Sequence, residues 1–205
     1  MYNFSTTKCH EGTVFAFKDP ISQIKFFGGG RTKGVKVEKH QILIDVGINL
    51  DQTIEVSGIR ALFRLSKRYN VKKIKIDWDD QGAPDLPRAF WIELVNSLRK
   101  ERRDIVVACV GGHGRTGTAL SILCNLILKE KDPITFIRKH YCEEAVESQR
   151  QINYIEEICN IDTSHIKPAW RPSVYSGKFV HYGYDDETGN FTQWPKINAT
   201  KGDKK

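Results

Sequence analysis

The chain has 205 residues and a formal net charge of +7, and 40% of its residues are hydrophobic. This length and apolar content suit one domain with terminal extensions. No run approaches the roughly 20 apolar residues that a membrane-spanning helix needs. Residues 1–13 lack the apolar stretch of a signal peptide. We therefore predict an intracellular (cytoplasmic) protein without a membrane span.

The distribution of basic residues and cysteines excludes few further classes of partner or site. Lysines and arginines are spread over residues 33–39, 99–103 and 201–205, a pattern typical of solvated faces, so nucleic acid is a possible but not an indicated partner. The five cysteines are widely spaced, without a Cys-X-X-Cys pair. We therefore predict neither a disulfide framework nor a zinc site. Cys124, Cys142 and Cys159 are interpreted as small, at least partly buried hydrophobic side chains.

Strand and helix patterns alternate along the first half of the chain. Apolar runs predict strands at residues 13–17, 42–46 and 73–76. The glycine run 28–30 is interpreted as a mobile loop. Ser57 can cap a helix over residues 58–69, because Ile59, Leu62, Phe63 and Ser66 recur on one face.

The second half continues this alternation. We predict a helix starting at Pro87, a strand at 104–108, and helices at 116–128, 133–141 and from Ser148, with Gln151 completing a capping box. The expected fold is α/β, with a central, mainly parallel sheet flanked by helices. Residues 1–40 would join this domain, residues 41–160 would form its core, and residues 161–205 would form a C-terminal extension. That extension either packs on the domain or serves as a partner arm, and its segments 178–184 and 190–194 could pair as a hairpin with a disordered tip.

The most informative segment runs from Cys109 to Gly117, where a thiol and a guanidinium, that of Arg115, stand six residues apart with three glycines between them. A buried strand precedes it and an apolar helix follows. Backbone N–H groups of such a loop, together with a helix N-terminus, attract anions and lower the pKa of a thiol. The guanidinium can bind two phosphate oxygens. The pattern formally fits a dinucleotide fingerprint, but no acidic strand end follows, and Thr118 stands where a nucleotide-binding Walker loop needs Lys.

Three segments resemble protein-tyrosine and dual-specificity phosphatases. Residues 109–116 match the Cys-(X)5-Arg-Ser/Thr loop of that family. Residues 78–84 are similar to its Trp-Pro-Asp-X-Gly-X-Pro loop, with Asp79 in place of the proline. Residues 147–151 stand where the family has a Gln-Thr-X-X-Gln loop. The three segments occur in the family's order, and together they imply a phosphatase-like fold.

The resemblance also implies a role for each matching residue. Cys109 would be the nucleophile, Arg115 would bind the phosphate, and Asp80 would be the acid and then the base, with Asp79 as its neighbouring rival. The hydroxyl of Thr116 would donate to the cysteine sulfur. Neither a cofactor nor a metal would take part. The remaining phosphate-binding positions are Val110, Gly111, Gly112, His113 and Gly114.

Three positions depart from the family pattern. Ala108 replaces a usual His, which predicts a less acidic thiol. Glu147 stands where a Gln orients the hydrolytic water, and Gln151 matches the second Gln, so either residue is a candidate for positioning that water. His113 occupies a position where related phosphoinositide phosphatases carry Lys. It would bind a second phosphate there, or it would be neutral and exposed.

These observations predict a phosphatase that hydrolyses phosphomonoesters through a phosphocysteine. The expected partner is a phosphorylated protein carrying phosphotyrosine, with phosphoserine or phosphothreonine as further substrates. A phosphoinositide and an RNA 5′-phosphate remain alternative substrates. A phosphate-binding module with weak catalysis remains an alternative function.

Overall fold

A computed structural model describes residues 11–47, 63–66, 71–169, 182–185 and 190–193. They fall into two units, one within residues 1–171 and one within residues 172–205. The strands of the first unit are β1 (Thr13–Lys18), β2 (Lys25–Gly30), β3 (Ile42–Val46), β4 (Phe63–Ser66), β5 (Val71–Ile76) and β6 (Ile105–Cys109). Its α-helices are α1 (Arg88–Glu101), α2 (Gly114–Leu128), α3 (Pro133–His140) and α4 (Gln149–Cys159). The second unit contains β7 (Tyr182–Asp185) and β8 (Asn190–Gln193), which pair antiparallel as the predicted hairpin.

The six strands of the first unit form one sheet in the order β1-β2-β6-β3-β5-β4. The four inner strands are parallel to one another, and the edge strands β1 and β4 pair antiparallel with β2 and β5. The predicted α/β fold with a mainly parallel sheet is confirmed. Strand β6 is an inner strand, between β2 and β3. Its carboxyl end, at Cys109, therefore lies in the middle of the sheet edge at which such folds bind ligands.

Strand β6 is buried along its whole length because both of its faces are covered, one of them by helix α2. Nearly all of α2 is buried, as its apolar sequence predicts, and it packs on Ile105 and Val107 of β6. Val106 and Ala108 point to the opposite face of the sheet, where they meet Leu43. Since both faces of this strand are covered, its sequence is continuously apolar rather than alternating.

The glycine run 28–30 is not a loop, and that prediction is wrong. These residues complete strand β2 and pair with β6. A Cβ at Gly28 would collide with the Tyr141 ring, and one at Gly30 would collide with the backbone of Gly111. The glycines are therefore required for close packing under the 109–114 loop rather than for mobility.

The helix predicted over residues 58–69 is wrong at residues 63–66, which form β4 and pair with β5. The other positions of that prediction lie outside the described residues. The spacing of apolar residues over so short a segment fits either a helix or a strand. The edge of β5 favours a strand, because the backbone of residues 63–66 can pair with it.

The cysteine predictions are confirmed in part. Cys124 and Cys159 are free and buried, and burial raises the pKa of Cys159 to about 12. Cys142 is also buried, but it takes part in a disulfide bond, so its interpretation as a simple hydrophobic side chain is wrong. Sequence spacing does not show which segments folding brings together.

Asp19 joins the turn after β1 to helix α1. Its fully buried carboxylate accepts a hydrogen bond of 2.7 Å from Arg99 Nε, and others from the Ser22 hydroxyl and Ile21 N–H. Burial acts to raise the pKa of Asp19, but these hydrogen bonds outweigh it and lower the pKa to about 2.

We expect Asp19→Asn to reduce the free energy of unfolding by about 2 kcal/mol at pH 7. The folded-state pKa lies below the unfolded value of 3.8, so this contribution is present above pH 4 and is lost as the pH falls towards 2. Urea denaturation at pH 7 and between pH 4 and 2 measures it. The exposed Asp85→Asn is the control, and it should unfold like wild type. A difference between wild type and Asp19→Asn that persists undiminished at pH 2 would contradict this assignment.

Candidate active site

The predicted strand, loop and helix around Cys109 are present. Cys109 ends β6 with only 3% of its surface exposed, and α2 begins five residues later at Gly114. Gly112 lies between them at φ +87°, a conformation that favours glycine. Its N–H donates to Cys109 Sγ at 3.1 Å. The backbone of the loop thus contacts the sulfur directly.

Arg115 lies in the first turn of α2 and is 5% exposed. Its Nη1 donates to the Trp78 carbonyl at 3.1 Å, and its Nη2 is 3.0 Å from Asp80 Oδ1. Within the described part of the chain, the buried Nε has no hydrogen-bond partner. A buried guanidinium N–H without an acceptor is costly, and an oxyanion held above Cys109 would supply that acceptor.

The Trp78–Pro84 loop brings the predicted acid to this guanidinium. Trp78 is buried against Trp91 and Tyr154, and its Nε1 donates to the Gly82 carbonyl at 2.8 Å. That bond closes the loop and leaves the side chain of Asp80 70% exposed beside Arg115. The neighbouring Asp79 is also exposed, and it interacts with Gly82 through its backbone. The structure therefore places Asp80, of the two aspartates, at the guanidinium.

Both candidates for positioning water reach the same loop. Gln151 is fully buried and forms the predicted capping box with Ser148. Its Oε1 accepts the N–H of Glu147 at 2.8 Å, and its buried Nε2 has no hydrogen-bond partner within the described residues. A Cβ at Gly114 would overlap Glu147 Oε2 and lie 2.8 Å from Gln151 Nε2. Gly114 therefore leaves the space in which the two side chains meet the loop.

Burial and, next, the charge of Asp80 raise the pKa of Glu147 above its usual value. The N–H of Gly114 and the charge of Arg115 act in the opposite direction without cancelling that effect.

Val146, which precedes Glu147, has φ +63°. A β-branched residue is strained in that conformation. Arg138 holds the turn by donating to the carbonyls of Ala145 and Val146.

Two predicted site residues contact groups other than the predicted ones. The hydrogen bond recorded for the Thr116 hydroxyl runs to the Gly29 carbonyl of β2 at 3.4 Å, and its bond to the cysteine sulfur stays a prediction. The His113 side chain is 15% exposed, with Nδ1 3.3 Å from Glu144 Oε2, so its description as simply exposed is wrong. Burial, then the charge of Lys33, lowers the pKa of His113.

Two contacts to the loop were not predicted from the sequence. The Tyr141 hydroxyl donates to the Gly112 carbonyl at 2.5 Å, and the Thr32 hydroxyl donates to the Val110 carbonyl at 2.9 Å. Neither residue belongs to a motif. The sequence signal for the Tyr141 contact is a bulky residue directly after α3, together with a glycine run that forms no turn.

Within the described ranges, no group of three or more His, Cys, Asp and Glu side chains is arranged to hold a metal ion. Over the same ranges, no helix is long and apolar enough to cross a membrane.

Comparison with known proteins agrees with the geometry. Residues 48–158 match the family model described as protein-tyrosine phosphatase. Two uncharacterized proteins of Methanocaldococcus jannaschii, MJ0215 and MJECL20, are 44% and 49% identical over 80 residues. These alignments cover 38% of this chain and 50% and 54% of the relatives.

The chain thus spans about half the length of the curated relatives it matches. Among solved structures, the crystal structure of Tk-PTP in the active form is 14% identical, with a TM-score of 0.49 over 72% of this chain and 97% of that one. The family model covers more than half of the 205 residues. The chain belongs to the protein-tyrosine phosphatase family.

Proposed function

We propose that this protein is a cysteine-dependent phosphatase that hydrolyses phosphomonoesters through a phosphocysteine intermediate. The observation that carries this proposal is the buried Nε of Arg115, which has no partner in the described part of the chain. It stands in the turn that follows a cysteine whose sulfur accepts a backbone N–H. An oxyanion bound there would complete the hydrogen bonding of the loop and place phosphorus next to the sulfur.

In the first step, the Cys109 thiolate attacks phosphorus. An S–P bond forms, and the bond from phosphorus to the ester oxygen breaks. Asp80 gives its proton to the departing oxygen, which leaves as an alcohol or a phenol. Arg115 and the loop N–H groups stabilise the charge on the three oxygens that stay on phosphorus.

In the second step, water attacks phosphorus, the S–P bond breaks, and the thiolate is restored. Asp80, now ionised, accepts the proton of that water. The Nε2 group of Gln151 donates a hydrogen bond to the water, and the Glu147 carboxylate lies beside it at Gly114. This division of roles gives both candidates for positioning water a place in the hydrolysis of the intermediate.

The surroundings of the loop favour a protein substrate over a polyanionic one. The Nδ1 atom of His113 lies 3.3 Å from both Glu144 Oε2 and Cys142 Sγ, which supports assigning its imidazole to contacts within the protein rather than to a second phosphate. The exposed carboxylates of Asp79, Asp80 and Glu144 outnumber the exposed ammonium of Lys33, whose charge acts on His113. Because like charges repel, this rim disfavours a lipid or RNA end with several phosphates. A phosphotyrosine in a peptide presents a single phosphate on a long, rigid side chain.

Phosphate release from matched substrates tests this proposal. The panel comprises an aryl phosphate, phosphotyrosine and phosphoserine peptides, phosphoinositide vesicles and 5′-triphosphorylated RNA. Cys109→Ser protein, purified identically, controls for contaminating phosphatases. We expect release from the aryl phosphate and the phosphotyrosine peptide, without added divalent ions. Release from the vesicles or the RNA alone would contradict the protein substrate, and no release from any substrate would favour a binding module.

We expect Glu147→Gln to bind inorganic phosphate about three- to tenfold more tightly at neutral pH, since it removes a negative charge beside the loop. The raised pKa of Glu147 means that the wild-type carboxyl becomes neutral at a higher pH than an ordinary glutamate. The difference between wild type and variant should therefore shrink as the pH falls through that pKa. Competitive inhibition by phosphate from pH 8 to pH 4 measures the effect. The exposed Glu143→Gln is the control, and weaker binding by Glu147→Gln at neutral pH would contradict the assignment.

A further inference from the structure

Tyr141 directly follows α3, and its side chain is buried under the 109–114 loop. Its N–H donates to the Ile137 carbonyl at 2.9 Å, which fixes the residue to the end of the helix. The ring occupies the space that Gly28 leaves in β2. The hydroxyl reaches the loop and donates to the Gly112 carbonyl at 2.5 Å. Helix, strand and loop are therefore joined through one residue.

The accepting carbonyl belongs to the most adaptable peptide of the loop. Gly112 is at φ +87°, and Gly111 and Gly114 flank the Gly112–His113 pair. Glycine has little intrinsic preference among backbone conformations, so the sequence alone does not decide which way this peptide faces. In a trans peptide, C=O and the following N–H point in opposite directions. Holding the Gly112 oxygen on Tyr141 therefore turns the N–H of His113 away from Tyr141.

A rotated peptide would be harmful in this loop. The Gly112 oxygen, if released, can face the space above Cys109, where its partial negative charge would repel a phosphate oxygen. The N–H of Gly112 belongs to the preceding peptide and donates to Cys109 Sγ, so a shift of the Gly112 Cα that accompanies the released carbonyl would also disturb the hydrogen bond to the sulfur. Burial, then the charge of Cys109, raises the pKa of Tyr141, which keeps the phenol a donor.

We propose that Tyr141 is a positioning residue that fixes the 109–114 loop in its anion-binding conformation by holding the Gly112 carbonyl. This inference rests on the proposed function of the loop as a phosphate site. It assigns Tyr141 no contact with the substrate. Its effect reaches the reaction through the direction of the loop N–H groups and through the environment of the Cys109 sulfur.

The test compares Tyr141→Phe with Tyr154→Phe, since each variant removes one buried phenol hydroxyl. The Tyr154 hydroxyl donates to the Leu86 carbonyl and accepts from Trp91 Nε1, so it does not touch the 109–114 loop. The rate of Cys109 alkylation by iodoacetate is followed by mass spectrometry of the cysteine peptide, against pH and against inorganic phosphate. Both variants are measured well below their own melting temperatures, which are recorded in parallel.

We expect Tyr141→Phe to need about tenfold more phosphate to halve the alkylation rate, and its alkylation profile to move to higher pH. Tyr154→Phe should match wild type in both readouts, even where its melting temperature falls. Equal phosphate protection in Tyr141→Phe and wild type, or equal losses in both variants, would overturn the proposal. These readouts need no turnover, so wild type that is protected by phosphate but releases none from any ester would refute only the proposed function. Wild type that phosphate does not protect would overturn both.

Discussion

Replacing Cys109 with Ser is expected to abolish turnover and to leave phosphate binding within a few-fold of wild type. The proposed reaction needs an anionic nucleophile, and a serine hydroxyl is not ionised near neutral pH. The groups that would hold the anion remain in this variant, namely the other loop N–H groups and the guanidinium of Arg115. We expect kcat to fall by a factor on the order of 10⁴ or more.

Steady-state hydrolysis of an aryl phosphate and calorimetric titration with phosphate or vanadate measure the two halves of this prediction. Cys159→Ser is the matched control, because Cys159 is a free cysteine at the end of α4 with a raised pKa. It should retain wild-type turnover. Near-normal hydrolysis by Cys109→Ser would remove this residue from the nucleophile role. Loss of anion binding together with turnover would mean that the sulfur shapes the loop itself.

The local parts of the site could be predicted from the sequence because each lies within a short segment. An apolar strand, a glycine-rich turn and an apolar helix fix the order of Cys109, Gly112 and Arg115. Asp80 follows β5 by a few residues, and Cys109 ends β6. The carboxyl ends of parallel strands share one sheet edge, so the strand pattern also predicts that the acid loop and the cysteine loop meet.

The rest depends on contacts between segments that no local pattern encodes. Position 28 must be a glycine because the Tyr141 ring, more than a hundred positions later, occupies the place of a side chain there. The strand β4 forms because β5 offers an open edge. His113 turns towards Glu144 only after α3 has placed that residue beside the loop. For Gly28 and His113 the deciding partner is distant in the sequence, whereas β4 and β5 are sequence neighbours whose pairing depends on β5 having joined the sheet.

The loss of rate on replacing Asp80 should be larger for a leaving group that depends more on receiving a proton. Asp80→Asn is expected to lower kcat/KM by about 10²–10⁴ for an alkyl or tyrosyl phosphate, whose oxygen leaves poorly without a proton. The loss should be far smaller for an aryl phosphate with an acidic phenol. The geometry supports this assignment, since Asp80 Oδ1 lies 3.0 Å from the Arg115 guanidinium that would hold the phosphate.

Asp79→Asn is the matched control, because it makes the same chemical change one position away. Asp79 is exposed and meets the loop through its backbone, with its carbonyl accepting the Gly82 N–H at 3.1 Å, so its variant should be mild on both substrates. Rates for the two variants on a good and a poor leaving group decide between the carboxylates. A leaving-group-dependent loss in Asp79→Asn alone would shift the acid by one position. Equal, substrate-independent losses in both would show that the loop acts by holding Arg115 through the Trp78 carbonyl. The proton would then come from another carboxyl, for which Glu147, with its Oε2 at Gly114, is the candidate.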